Sequence, residues 1–308
     1  MIGGFALQIK RLTWLTVPAV VALVPFANAS TRRDDVSDSQ YTALGNSYTS
    51  VGLIQIGGAF GSATLIGSNW ILTAAHVKDG GGGGSTGTFS LNGNNYSVTN
   101  IQNHPLWSGT VGTGGYDFCL GYISSGIGGV TPTGYYAGSD ELGKIGTSVG
   151  FGRTGTGLTG DTGAGGTKRA FTNVIDALDV QSDLMGLLTD FDKPDGTTNS
   201  LGPLGSSASP TSLEGCVAPG DSGGALFVDF MGTQLQVGVT SFVAWPSGNP
   251  NHYGYYGHMS GYADISLGAT WIQQVSGIAP VNPVPEPASM LALGAGALAL
   301  LRRRRRAQ

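Results

Sequence analysis

An all-β fold of short strands is what the 308-residue sequence predicts, and three observations predict it. Glycine is abundant at 53 residues, while charged residues make up only 11%. Glycine inside a helix costs about 1 kcal/mol relative to alanine, so long helices cannot dominate. Short apolar runs rich in β-branched and aromatic residues recur, bounded by Gly, Asn, Ser or Thr, as strands and turns are. The 40% hydrophobic content is enough to build a packed core, which a disordered chain lacks.

The runs start at Val51–Ile56 and continue at Ala63–Ile66, Trp70–Ala75, Phe118–Ile123, Ser148–Phe151, Gly224–Val228 and Leu235–Phe242. Such spacing indicates a barrel or sandwich. Ahead of them, residues 30–45, with Arg32, Arg33, Asp34, Asp35 and Asp38, read as a polar lead-in. The glycine run Gly80–Gly84 and the Gly/Thr-rich stretch Thr154–Gly166 read as surface loops, since neither leads from a strand into a helix as a phosphate cradle does. A hinge near Thr131–Gly134 would split the body into halves of about 46–131 and 135–278. Ala269–Val275 has helical character and would pack Trp271 and Ile272 against the second half.

Three groups of potential ligands are weak signals. Asp190, Asp192 and Asp195 read as a solvated acidic loop, because Pro194 takes a ligand place of an EF-hand and no Gly follows it. His252 and His258 lie in a Tyr/Gly-rich loop, where their spacing is poor evidence for a metal. The two cysteines, Cys119 and Cys216, permit one internal disulfide at most and have no metal-ligand spacing. No metal is expected.

The formal net charge of −4 hides an asymmetry. Lys10, Arg11 and Arg302 to Arg306 account for seven of the 15 basic residues, and the 19 acidic residues all lie between them. An acidic body argues against a nucleic-acid partner. The N-terminal charges precede an apolar stretch, Trp14–Phe26, and then Ala27-Asn28-Ala29, with small residues at −3 and −1. This is the pattern of a secretory signal peptide over residues 1–29, cut by signal peptidase to leave Ser30 first; an uncleaved membrane anchor is the alternative.

At the other end, Pro285-Glu286-Pro287 is followed by an apolar run, Ala288–Leu301, and five arginines. Fourteen helical residues rise about 21 Å, short of a hydrocarbon core of about 30 Å. The arginines would stay cytoplasmic and leave the body outside. This three-part order resembles the PEP-CTERM sorting signal, which implies an exosortase-type processing enzyme of bacteria. A plain tail anchor is the alternative. Residues 279–308 are therefore expected to be a linker and sorting or anchor segment, with transient or anchoring membrane contact through 288–301. The expected location is the cell envelope, the cell surface or the medium.

Three motifs in chain order carry chemistry: Leu72-Thr73-Ala74-Ala75-His76, Tyr116-Asp117-Phe118-Cys119-Leu120 and Gly220-Asp221-Ser222-Gly223-Gly224. A serine hydroxyl needs a base within hydrogen-bond reach to become a nucleophile. Histidine, with an ordinary pKa near 6.5, can take and return that proton. An aspartate fixes the imidazole tautomer and stabilises the imidazolium. Glycines beside the serine permit a tight turn whose N–H groups face an oxyanion.

T-A-A-H and G-D-S-G-G resemble the two signatures of the trypsin/chymotrypsin superfamily. Asn103-His104-Pro105, Gly150-Phe151-Gly152, Thr240-Ser241-Phe242, Gly261-Tyr262-Ala263 and Trp271-Ile272 resemble further landmarks of that family, over roughly Val51 to Val275. The resemblance implies two six-stranded antiparallel β-barrels and a short C-terminal helix in a domain spanning 30–278, with His76, Asp117 and Ser222 as a catalytic triad in the cleft between barrels. It implies an oxyanion hole from the N–H groups of Gly220 and Ser222, and substrate contacts from Cys216, Ser241 and Val243. Cys216 lies where an acidic pocket base would favour Arg or Lys, so a preference for small or medium apolar side chains is expected. The cysteines fall at unrelated places, which favours free thiols.

The expected activity is that of an exported serine endopeptidase acting on peptides or proteins without a cofactor. The rivals are a catalytically silent binding module on the same fold, a Gly-rich matrix protein and an esterase. One departure stands out. In the family a freshly cut N-terminus pairs with the aspartate before the nucleophile, here Asp221, and no I-V-G-G sequence precedes Val51 to supply it.

Overall fold

The computed structural model describes residues 30–179, 186–246 and 251–282, so both terminal addresses fall outside the described residues. The first half runs β1 (Thr31–Arg32), α1 (Asp38–Ser47), β2 (Val51–Ile56), β3 (Ala59–Gly67), β4 (Trp70–Thr73), α2 (Ala75–Gly80), β5 (Gly87–Leu91), β6 (Asn94–Asn103) and β7 (Cys119–Tyr122). Six of these strands close into a barrel in the order β2-β3-β4-β7-β6-β5. Closure leaves no exposed edge. The alternating inward residues fill it: Ile54, Leu65, Ile71, Phe89 and Leu120 are all buried.

The second half contains β8 (Ile145–Gly150), β9 (Gly155–Thr156), β10 (Arg169–Val174), β11 (Ala177–Asp179), β12 (Gly186–Asp190), β13 (Gly215–Cys216), β14 (Ala225–Phe230), β15 (Thr233–Ala244) and β16 (Met259–Asp264), ending in α3 (Ile265–Ser276). Among the described residues seven of its strands form one curled antiparallel sheet, β10-β8-β14-β15-β16-β12-β11. This half is thus a curled half-barrel with one strand more than the six expected. Its core gathers Phe171, Leu187, Leu226, Val237 and Tyr262.

Two regions differ from the sequence reading. Residues 30–45 are not a loose lead-in: Ser30 and Thr31 are buried, and β1 pairs with both β13 and β9. Helix α1 lies on β10, with Gly45 against the Arg169 backbone, where a Cβ would come within 2.7 Å of Arg169 Cα. The Arg169 guanidinium donates to both Asp38 oxygens at 2.7 and 2.6 Å, and Tyr41 Oη donates to the Glu214 carbonyl at 2.9 Å. These long-range partners hold a segment whose local sequence is merely polar.

Helix α3 begins four residues before the expected start, because Asp264 caps it by accepting from the Ser266 N–H at 2.8 Å. It also returns to the other half. Ile272 joins the core of the first barrel, and the Trp271 ring meets the His104 ring at 4.9 Å.

Candidate active site

His76 is carried by α2, a short helix that starts as soon as β4 ends. Ala74 and Ala75 are small enough to be buried at that junction. Asp117 stands just before β7, which pairs directly with β4, so barrel closure brings the two residues together. Asp117 Oδ1 accepts from the His76 backbone N–H at 2.9 Å, and Oδ2 lies 2.6 Å from His76 Nδ1. A carboxylate there places the ring proton on Nδ1 and leaves Nε2 as the acceptor. Burial pushes the His76 imidazole down, but the charge and hydrogen bond of Asp117, with Asp79 further off, outweigh it and hold the group above its ordinary value.

Asp117 is 2% exposed and has a third donor: Ser241 Oγ, from the opposite half, at 2.6 Å from Oδ2. Ser241 sits at a register shift between β15 and β16, where Thr240 pairs with Tyr262 and Phe242 with Gly261. A bulge of this kind re-aims one side chain out of the strand alternation.

Ser222 lies on a turn flanked by Gly220 at φ 100° and Gly223 at φ 80°, conformations that favour glycine. The turn is fastened to the first barrel. Ser62 N–H donates to the Ser222 carbonyl at 2.7 Å, and Ser62 Oγ donates to the Gly220 carbonyl at 3.0 Å. The Gly223 N–H donates to the Thr240 carbonyl at 2.9 Å. Ser222 therefore sits beside α2: a Cβ on Gly61 would be 2.7 Å from the Ser222 carbonyl and 3.0 Å from the side chain of Val77. Among the described residues the N–H groups of Gly220 and Ser222 donate no hydrogen bond within the chain. The His76–Ser222 hydrogen bond is also not formed, a contact that often tightens only around substrate.

The other expected residues are placed as follows. Cys216 is fully buried, its thiol pushed up to about 12 by burial, and its sulfur accepts from Ser260 Oγ at 3.4 Å. Val243 is half-buried opposite Ser260. Cys119 and Cys216 are both free and buried. The acidic loop corrects the sequence reading: Asp190 and Asp192 are buried, and only Asp195 is exposed, paired with Lys193 at 2.8 Å. Burial, then the charges of Asp190 and Glu214, push Asp192 up to about 8. His258 is buried too, its Nδ1 accepting from the Gly254 N–H at 3.2 Å. His252 instead faces Asp161 at 3.3 Å.

The missing partner of Asp221 is Ser30. Asp221 Oδ2 accepts from the Ser30 N–H and the Ser30 hydroxyl, both at 3.0 Å, and from the Ala218 N–H at 2.9 Å. Oδ1 accepts from the Gly152 N–H at 2.8 Å. Ser30 and Ser62 are the residues that sequence reasoning missed. A serine before a polar segment and a serine in mid-strand carry no local mark of such contacts.

The fold and this geometry define a chymotrypsin-type architecture. The trypsin family matches residues 39–174, and the PEP-CTERM protein-sorting motif matches residues 283–306. No curated protein sequence matches the chain significantly. Among solved structures, HL collagenase is 19% identical with a TM-score of 0.55, covering 77% of this chain and 96% of its own. Neuropsin, a serine protease expressed in the limbic system of mouse brain, is 17% identical with a TM-score of 0.54, covering 80% and 98%. At these identities the two structures establish the shared fold. Over residues 39–174 the chain is thus similar to the trypsin family and shares the fold of serine proteases, and it carries a PEP-CTERM motif, which points to export to the cell envelope or surface.

Proposed function

We propose that His76, Asp117 and Ser222 form the catalytic triad of an exported endopeptidase. The observation that carries this reading is the double grip of Asp117 on His76, at the backbone N–H and at Nδ1. It sets both the position and the tautomer of the ring. Ser222 Oγ attacks the scissile carbonyl while His76 Nε2 takes its proton. The resulting oxyanion is received by the N–H groups of Gly220 and Ser222, whose donors are not otherwise engaged. Losing one such donor typically costs about 3–4 kcal/mol of barrier. His76 then protonates the leaving amine, and water repeats the sequence on the acyl-enzyme. The residues need no cofactor for these steps.

The substrate side chain is proposed to be small or medium and apolar. Cys216 offers no charge to a basic side chain, and Val243 adds an apolar wall beside Ser241. Residues 1–29 are proposed as the leader and 279–308 as the linker and sorting or anchor segment, processed by an exosortase-type enzyme.

Fluorophosphonate labelling of the exported body tests the reading. Labelling lost in Ser222→Ala and sharply reduced in His76→Ala supports it. A folded protein that stays unlabelled, also when it starts at Ser30, overturns it in favour of a binding module. Peptide libraries then test specificity: faster cleavage after Arg or Lys than after Ala, Val or Leu would overturn the apolar preference.

A further inference from the structure

The Gly/Thr-rich stretch after Gly152 is fastened on two sides by one carboxylate. Asp161 is 4% exposed. Its Oδ2 lies 3.1 Å from Arg153 Nε, and the same Nε donates to the Asp161 carbonyl at 2.9 Å. Its Oδ1 accepts from the Tyr253 N–H at 2.8 Å and faces His252 Nδ1 at 3.3 Å. The Asp161 N–H in turn donates to the Tyr253 carbonyl at 2.9 Å. The two loops touch beside it: a Cβ on Gly160 would come within 2.7 Å of His252 Cβ. A buried carboxylate holds such partners firmly, because losing one leaves its charge uncompensated away from water.

Arg153 carries this anchorage to the turn before Ser222. While Asp161 holds its side chain, its backbone N–H donates to the Pro219 carbonyl at 2.8 Å. In a trans peptide the C=O and the next N–H point in opposite directions. The bond to Pro219 therefore sets the direction of the Gly220 N–H. Gly220 does not set it alone: at φ 100° it is a glycine, which admits a rotated peptide at little cost. The other bonds of the turn act elsewhere. Ser62 Oγ holds the Gly220 carbonyl, and Asp221 accepts from the Ala218 and Gly152 N–H groups. Among the described residues, the Arg153 N–H is the one donor to the Pro219 carbonyl.

We propose that Asp161 is a positioning residue for the reaction: by holding Arg153 it aims the Gly220 N–H at the oxyanion, and by holding Tyr253 it ties that donor to the segment between β15 and β16. It acts through Arg153 and touches neither Ser222 nor substrate. The Gly220 N–H matters most when negative charge develops on the attacked carbonyl oxygen. Loss of its aim therefore falls on turnover rather than on substrate binding. This inference rests on the oxyanion hole proposed above.

The test uses the exported protein in three variants: Asp161→Asn, Arg153→Ala and the two combined. The first keeps an oxygen for the Tyr253 N–H and removes the charge that holds Arg153. The second removes the guanidinium and keeps the backbone N–H. Each should lower kcat on a peptide substrate about tenfold, with KM within about twofold, well below its Tm. The combined variant should be no slower than the slower single one, since the two side chains act as a unit. A peptide boronate, which binds as a tetrahedral anion, should lose affinity about tenfold, whereas a non-electrophilic peptide of the same sequence should not. Unchanged kcat in either single variant, losses that multiply in the combined one, or a rise in KM alone would overturn the proposal. Hydrogen exchange separates it from the reading it rests on: in Asp161→Asn the amides of 152–166 and of 218–222 should both exchange faster. If the native protein turns over no substrate yet both segments respond, the clamp stands and the oxyanion reading falls. Faster exchange in 152–166 alone overturns the clamp.

Discussion

Ser241 and Asp117 are joined by a 2.6 Å hydrogen bond that spans the two halves and ends on Oδ2, the same oxygen that faces His76 Nδ1 at 2.6 Å. The site is therefore locked from both sides. The first barrel supplies the carboxylate and the imidazole, and the second supplies the hydroxyl that holds the carboxylate in register. A bond between a neutral donor and a charged acceptor is among the stronger ones in a protein.

Removing that hydroxyl gives the first prediction. Ser241→Ala should lower kcat about tenfold, corresponding to about 1.4 kcal/mol, with KM little changed. Without that competing donor on Oδ2, the bond from His76 Nδ1 strengthens and the imidazole proton is held more tightly. The acid limb of kcat/KM should therefore move to higher pH. Ser241→Thr should retain most activity, and steady-state kinetics over pH 5–9 would check both outcomes.

Asp117 itself is predicted to matter far more. His76 is held above its ordinary value by Asp117, and in the proposed triad it can take a proton only when neutral. Activity is consequently lost as pH falls through a value above the usual ~6.5 of imidazole. Asp117→Asn should cut kcat by roughly 10⁴, through the wrong tautomer. It should also move the acid limb downward, since the charge that raised it is gone. An unchanged limb would mean that another group sets it.

The turn that carries Ser222 depends on glycine at one position above others. Gly223 has φ 80°, and a Cβ there would run into Thr73 Oγ1 and the Ser62 carbonyl. Gly223→Ala should destabilise the fold by about 2 kcal/mol or more. That corresponds to a fall in Tm of roughly 4–8 °C for a domain of this size. Ser222 labelling should be lost well below the melting temperature. Differential scanning calorimetry together with the probe separates the two effects.

Stability should fall as pH rises toward 8. Asp192 is pushed up to about 8 and Glu214 to about 7, both first by burial. Between their unfolded values near 4 and these folded values, the folded state binds more protons than the unfolded state. The linkage slope is then negative, so stability is full below pH 4 and lost through this window. Asp192→Asn removes one such group and should raise Tm at pH 8 by about 2–4 °C, on the order of 1 kcal/mol, relative to its effect at pH 4. Melting curves at the two pH values check this.

The sequence by itself determined the strand-rich class, four of the first barrel's six strands and the three chemical motifs. Val51–Ile56 matches β2 end to end, because its turn boundaries and β-branched residues act locally. His76, Asp117 and Ser222 were legible because glycines and alanines must surround such groups at fixed short range. Only the tertiary structure decided what depends on residues far apart in the chain. It buried the polar segment around Ser30, enclosed Asp190 and Asp192, returned α3 to the first barrel and turned Ser241 toward Asp117. Ser30 and Asp221 are 191 positions apart. Nothing in either neighbourhood encodes their meeting, because a carboxylate accepts from whichever donor packing delivers to it.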